Sequence, residues 1–285
     1  PMTVTVNPLP VAAITANGPT TFCQGGNVTL VASTGTSYLW SNGAITQSIT
    51  VSTAGTYSVT VTNSDGCSAT SASTAVTVNA LPTATITASG ATTFCQGSTV
   101  TLTSSVGTAY LWSSGETTQS IIANVDGPYS VIVTNANGCQ STSANTNLTV
   151  YPLPTVAAIT GPNAVCAGST VVLATTTTGG TWSSSNTLAA TISSTGVVTG
   201  VAAGNAVLTY TVTNANGCTN AVTAAMTVNA GTTATISASS ATTFCAGGSV
   251  TLTASPGASY SWSTGDLTQS ITVSTSGTYF VNVTN

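Results

Sequence analysis

The chain has 285 residues, no Lys, Arg or His, and only four acids (Asp65, Glu116, Asp126 and Asp266), for a net charge of −4. Without His no Ser-His-Asp or Cys-His constellation can form, and four acids scattered through turns offer no general acid/base pair. Zinc sites of Cys and His, Asp-rich calcium loops and basic surfaces for nucleic acid have no basis here, so the sequence predicts no enzyme, no cofactor and no metal.

The first predicted element, residues 1–8, reads as a closing strand. Met2-Thr3-Val4-Thr5-Val6-Asn7-Pro8-Leu9-Pro10 matches Ala75-Val76-Thr77-Val78-Asn79-Ala80-Leu81-Pro82. It is therefore expected to end a preceding repeat, the chain being a window on a longer polypeptide. Strand exchange between copies is the alternative. Repeat one follows (residues 9–80). Short Thr/Val alternations between Gly, Asn and Pro turns indicate an antiparallel β-sandwich. Its predicted strands are A near Val11–Ala16, B at Val28–Ala32, C at Ser37–Ser41, a short edge near Ala44–Gln47, E at Ser48–Val51, F at Tyr57–Thr62 and G at Ala75–Val78. Alternation puts Tyr38 with Trp40 on one face of C, and Tyr57 with Val59 and Val61 on one face of F.

The same landmarks return three times. Thr21-Phe22-Cys23-Gln24-Gly25 recurs at Cys95 and Cys245, and loosely at Cys166, with Cys-to-Cys steps of 72, 71 and 79 residues. Trp40, Trp112, Trp182 and Trp262 stand in equivalent places, as do Tyr57, Tyr129 and Tyr279, and all seven are core candidates. The second Cys of each repeat, at Cys67, Cys139 and Cys218, follows an Asn/Asp-Gly turn. This gives repeat two (81–152), repeat three (153–230) and repeat four (231–285), the last without a closing strand. No run reaches the roughly 18–20 apolar residues of a membrane helix. A surface of hydroxyls and amides should respond little to salt or pH.

Seven Cys at two per repeat suggest disulfides in an oxidising compartment. Pairing within each repeat (Cys23–Cys67, Cys95–Cys139, Cys166–Cys218) meets a topological objection. Strands B and F of an Ig-like sandwich run the same way, so a Cys before B and a Cys after F sit at opposite ends, roughly 20 Å apart. A disulfide needs Cα atoms within about 7 Å. Head-to-tail stacking brings the bottom of one repeat against the F–G turn of the next. That geometry favours Cys23–Cys139 and Cys95–Cys218, with Cys166 expected to bond to the second Cys of repeat four, the eighth of the pattern, which the sequence stops short of. Pairing within repeats stays open as the alternative.

The pattern Phe-Cys-x-Gly, Val-Thr-Leu, Tyr-x-Trp-Ser, Thr-Gln-Ser-Ile, Gly-Thr-Tyr-x-Val-x-Val-Thr-Asn and Asn-Gly-Cys resembles PKD-like and Ig-like repeats of very large Bacteroidetes surface proteins, among them gliding-motility adhesins exported by the type IX secretion system. Repeats one, two and four carry it closely. Repeat three departs from it: Thr181-Trp182-Ser183-Ser184-Ser185-Asn186 and Ser194-Thr195-Gly196-Val197-Val198-Thr199-Gly200-Val201-Ala202 look like bacterial Ig-like group 2 domains, and Leu208 replaces the Tyr of strand F. The resemblance implies an extracellular, cell-surface, non-catalytic rod, a stalk or filament that supports adhesion. Self-association and contact with a host or environmental surface are its expected partnerships, without nucleic acid or membrane insertion. A glycan- or surface-binding module acting through loops or Thr-rich faces, such as Thr83-x-Thr85-x-Thr87, is the alternative reading.

Overall fold

The computed structural model describes residues 1–231 and 233–284. The described residues form strands, turns and bends, with two compact units, Pro1–Tyr151 and Pro152–Asn285. Four separate hydrophobic clusters fill them, two in each unit. The fold is all-β: tandem Ig-like sandwiches.

Repeat one shows why these residues make a sandwich. Its strands are β1 (Ile14–Asn17), β2 (Thr21–Cys23), β3 (Val28–Ala32), β4 (Ser37–Trp40), β5 (Ser48–Val51), β6 (Gly55–Tyr57), β7 (Val59–Thr62), β8 (Ser68–Thr70) and β9 (Thr74–Asn79). One face is the antiparallel sheet β1-β3-β5; the other is built from β4-β7-β8 and β2-β9-β6. Alternation decides what faces inward. Val28, Leu30 and Ala32 of β3 meet Ile49 and Val51 of β5, and opposite them lie Trp40, Val59, Val61 and Val76. The outward Thr residues pair across strands, Thr29 with Thr50 at 3.2 Å and Thr60 with Thr70 at 3.0 Å between hydroxyls. Such pairs stabilise a solvated face by a few tenths of a kcal/mol each, about 0.2–1.

The expectations for strands F and A and for the edge segment need correction, and two strands are added. Strand F is not one strand: it breaks at Ser58, where the sheet changes partner. There Ser58 N–H donates to Ser41 Oγ and Val59 N–H to Ser71 Oγ. Two serines thus bond N–H groups at a step in the sheet. The segment Ala44–Gln47 is irregular, bending at Thr46 and Gln47, rather than an edge strand, and it is held by side-chain bonds. Trp40 Nε1 donates to the Thr46 carbonyl at 2.8 Å, and the Gln47 amide donates to the Ala32 carbonyl. Strand A is shorter and shifted, and strand G is preceded by β8, which pairs with β7. Finally, the Thr-Phe-Cys motif is itself a strand, β2, lying parallel to β9 with Cys23 opposite Asn79.

Repeat two reproduces this plan strand for strand over Ile86–Tyr151, with its first strand one residue shorter. Repeat three differs. Its strands Gly204–Thr213 and Thr219–Asn229 form one uninterrupted hairpin with ten paired positions. Leu208, Met226 and Val228 take over the core. Gly196 (φ +84°) is required in its turn, since a Cβ there would lie 2.2 Å from the Leu173 carbonyl oxygen.

The predicted core aromatics divide. Trp40, Trp112, Trp262 and Tyr57 are buried, whereas Trp182, Tyr129 and Tyr279 are half-buried. Trp182 packs against Tyr210 with ring centroids 4.8 Å apart, at the side of a core made by aliphatic residues. Tyr129 lacks the hydroxyl partner that Thr53 gives Tyr57, because Val125 stands there, and keeps only a 3.3 Å bond to the Val125 carbonyl.

Candidate functional site

The feature that the repeats share, and that chemistry can act upon, lies where one repeat meets the next. It begins with an Asn. In repeat two the turn Asn135–Cys139 closes with Asn135 N–H donating to the Cys139 carbonyl and Gly138 N–H donating to the Asn135 carbonyl. Gly138 has φ +76°, which suits a residue without a Cβ. The Asn135 side-chain oxygen accepts from the N–H groups of Asn137 and Cys139, both at 3.0 Å. This local bonding is the ordinary role of Asn in a turn. Its amide nitrogen is left over, and donates at 2.9 Å to the carbonyl of Ala80 in the linker that enters the repeat.

That clasp holds the linker under the turn. Cys139, 1% exposed, has its sulfur 4.0 Å from the Asn79 carbonyl oxygen. Asn79 ends β9, and Cys23 of β2 is its partner in register. The two sulfurs therefore meet. Cys23 and Cys139 form a disulfide with S–S 1.95 Å and Cα–Cα 5.6 Å, between residues 116 apart in sequence. It joins repeat one to repeat two. Pairing of Cys23 with Cys67 and of Cys95 with Cys139 is thereby corrected, for the reason of opposite ends: Cys23 is beside the end of β9 and Cys67 is in the β7–β8 turn. Cys166–Cys218 is corrected too, since Cys218 is disulfide-bonded while Cys166 is a free, exposed thiol.

The clasp recurs. Asn63 accepts from Asp65 and Cys67 and donates to the Pro8 carbonyl at 3.0 Å; Asn214 accepts from Asn216 and Cys218 and donates to the Pro152 carbonyl at 3.0 Å. Repeat three adds Asn220, which donates to the Pro154 carbonyl at 2.9 Å. Cys95 is also disulfide-bonded and lies opposite Tyr151 in register. Cys67 and Cys245 are free, the first half-buried and the second exposed. Sequence reasoning singled out the cysteines but missed the Asn four residues before each second Cys. Its signal was present, as an Asn at the same offset in three repeats.

The acids stay apart. Asp126 accepts from Val150 N–H and Asp266 from the Thr264 hydroxyl. Among the described residues no three His, Cys, Asp or Glu gather as a metal site would require, and no helix is long and apolar enough to cross a membrane. Of Thr83, Thr85 and Thr87, only Thr87 lies in a strand, Ile86–Ala88.

No family model matches the chain, and no curated protein matches it. Among solved structures it is similar to a 1.5-MDa bacterial ice-binding adhesin, at 17% identity and TM-score 0.28, over 79% of this chain and 99% of that one. It is similar to a Ca²⁺-stabilised adhesin with which an Antarctic bacterium binds ice, at 16% identity and TM-score 0.35, over 96% and 90%. It is also similar to the N-terminal four Ig domains of Dscam1, at 13% identity and TM-score 0.21, over 93% and 92%. Likeness at this level carries nothing about ligand or partner.

Proposed function

We propose that this chain is a non-catalytic structural segment, stalk or filament, of a secreted bacterial surface protein that supports adhesion. The observation that carries this reading is the Cys23–Cys139 disulfide, placed between two sandwiches rather than within one. Each sandwich has its own core. A covalent bond across their boundary restrains how they move and how the chain extends under pull. Cys95 and Cys218 are disulfide-bonded as well. Oxidised cysteines favour an extracellular setting. The resemblance to PKD-like and Ig-like repeats of Bacteroidetes surface adhesins, with a group 2-like third repeat, agrees with it.

Pulling single molecules tests the reading. The disulfide shields 116 residues of separation from extension. Reductant should release about 400 Å of hidden length for this bond, at roughly 3.3–3.6 Å per residue. An extension curve unchanged by reductant would remove the mechanical role. The glycan-binding alternative has no specific support, since outward Thr hydroxyls are engaged with one another across strands. Saturable binding on a glycan array would restore it.

A further inference from the structure

The turn that follows strand F carries a reactive pair of residues in two repeats. It reads Asn63-Ser64-Asp65-Gly66-Cys67 in repeat one, Asn135-Ala136-Asn137-Gly138-Cys139 in repeat two and Asn214-Ala215-Asn216-Gly217-Cys218 in repeat three. The residue before the Gly is thus an aspartate once and an asparagine twice. Asn137, Gly138, Asn216 and Gly217 are all exposed to water. An Asn followed by Gly is the setting in which the next backbone nitrogen attacks the side-chain amide most readily, because Gly has no Cβ to hinder the approach.

The turn holds that reaction off. Gly138 N–H, the nucleophile once it gives up its proton, donates to the Asn135 carbonyl at 3.0 Å. Asn137 N–H donates to the Asn135 side-chain oxygen at 3.0 Å. Attacking nitrogen and target residue therefore hang from one side chain and its own carbonyl, and the Asn135 amide is bonded in turn to the Ala80 carbonyl of the linker. Repeat three has the same three bonds. Gly217 N–H donates to the Asn214 carbonyl, Asn216 N–H to the Asn214 side-chain oxygen and the Asn214 amide to the Pro152 carbonyl, each at 3.0 Å. The pair Asn42-Gly43, in the turn after β4, is bonded within its own turn: Gly43 N–H donates to the Trp40 carbonyl at 2.9 Å and Ala44 N–H to the Asn42 side-chain oxygen at 3.2 Å.

We propose that Asn137 and Asn216 are self-modifying sites, guarded by the clasp, that become aspartate or isoaspartate when the linker leaves its turn. The only co-reactant is water. Gly138 N attacks Cγ of Asn137; the N–Cγ bond forms, the Cγ–Nδ2 bond breaks, and the amide nitrogen leaves as ammonia with the proton that Gly138 gives up. Water then opens the cyclic imide. Cleavage of its N–Cγ bond gives aspartate, and cleavage at the main-chain carbonyl gives isoaspartate. Nothing is oxidised or reduced, and each conversion adds one negative charge to a chain that carries −4.

The two products act differently. Aspartate fits the turn: Asp65 N–H donates to the Asn63 side-chain oxygen at 3.1 Å and Gly66 N–H to the Asn63 carbonyl at 3.2 Å, the bonds of the asparagine turns. That turn recloses on its linker. Isoaspartate adds a methylene to the main chain before Gly138, so Asn135 can no longer hold residue 137, Gly138 and Cys139 at their present spacing. The junction thereby keeps a covalent record of having opened. The inference goes beyond the structural role above and does not rest on Cys23–Cys139.

The test incubates the 285-residue chain in mildly alkaline heavy-oxygen water and follows label entering each Asn-Gly peptide by mass spectrometry, with isoaspartate resolved by chromatography. Asn135→Ala should raise the rate at Asn137 about 5–30-fold, the change in open population that losing such bonds brings, and leave Asn216 and Asn42 unchanged. Asn214→Ala should raise Asn216 alone, reading the same device in a second repeat. Val100→Ala weakens the core of repeat two without touching the clasp and should leave the Asn137 rate as it is in the parent chain. Equal Asn137 rates in the parent and in Asn135→Ala, no label at Asn137 or Asn216 in any variant, or an equal rise with Val100→Ala would each overturn the proposal.

Discussion

Repeat one and repeat four have nearly the same landmarks, yet they are packed to different degrees. Both bury their tryptophan, Trp40 to 2% and Trp262 to 3%, and both indoles donate to a Thr carbonyl at 2.8 Å. Both keep the three-stranded face, β1-β3-β5 in repeat one and Ile236–Ala238, Val250–Ala254 and Ser270–Val273 in repeat four. They part at the other face. Val59 and Val61 are fully buried in repeat one, while Val281 and Val283 are half-buried in repeat four. Phe244 is 39% exposed, and the residues equivalent to β2 and β6 carry no ladder. The B–C–E corner is thus self-sufficient, held by Trp and the Thr-Gln-Ser turn. The far face is ordered by the strand that lies on it, because a lone segment there has neither apolar cover nor ladder partners.

Substitutions should separate these two zones. Trp40→Ala and Trp262→Ala strike what the repeats share, and each should destabilise its own repeat by about 3–5 kcal/mol. Hydrogen exchange resolved by repeat would read this, and a much smaller loss in repeat four would show that its tryptophan corner is already loose. Val61→Ala and Val283→Ala strike what the repeats do not share. The first removes methyls from a sealed core and should cost about 1.5–3 kcal/mol. The second acts on a partly wet side chain and should cost less than half as much by the same measurement. Equal losses would mean that the far face of repeat four is sealed as tightly as that of repeat one.

The comparison also explains what could be read in advance. Val28–Ala32 and Ser48–Val51 were legible to the residue, since strict alternation against a fixed turn leaves one register. The break in strand F was not, because Tyr57-Ser58-Val59 keeps its alternation through the step and only Ser41 and Ser71, distant in sequence, mark it. Thr21–Cys23 escaped notice as a strand because three residues carry no period; its ladder is supplied by β9, over 50 residues later. The cross-repeat disulfide was reachable from the opposite placement of the two cysteines. The clasp beneath it is harder to read: Asn63, Asn135 and Asn214 recur four residues before their cysteines, but an Asn near a Gly reads as turn chemistry, and nothing local shows that its amide reaches back to the linker.

Asn135 is where the smallest effect is expected, and where it is most specific to the junction. Asn135→Ala removes the bonds to Asn137 N–H, Cys139 N–H and the Ala80 carbonyl. All lie in a turn and linker within reach of water, so the loss to repeat two should be about 1–2 kcal/mol rather than the sum of three buried bonds. The linker is held to the turn from one side by this amide and from the other by the Cys23–Cys139 bond. With the amide gone, the linker is no longer clasped to the turn, and Cys139, which is 1% exposed in the parent chain, becomes easier to reach. Reduction of that disulfide by a small thiol should therefore be faster in Asn135→Ala than in the parent chain, while Asn63→Ala, whose amide reaches Pro8 instead, should leave its rate unchanged. Equal reduction rates in all three proteins would mean that the sandwich packing, and not the clasp, shields the bond.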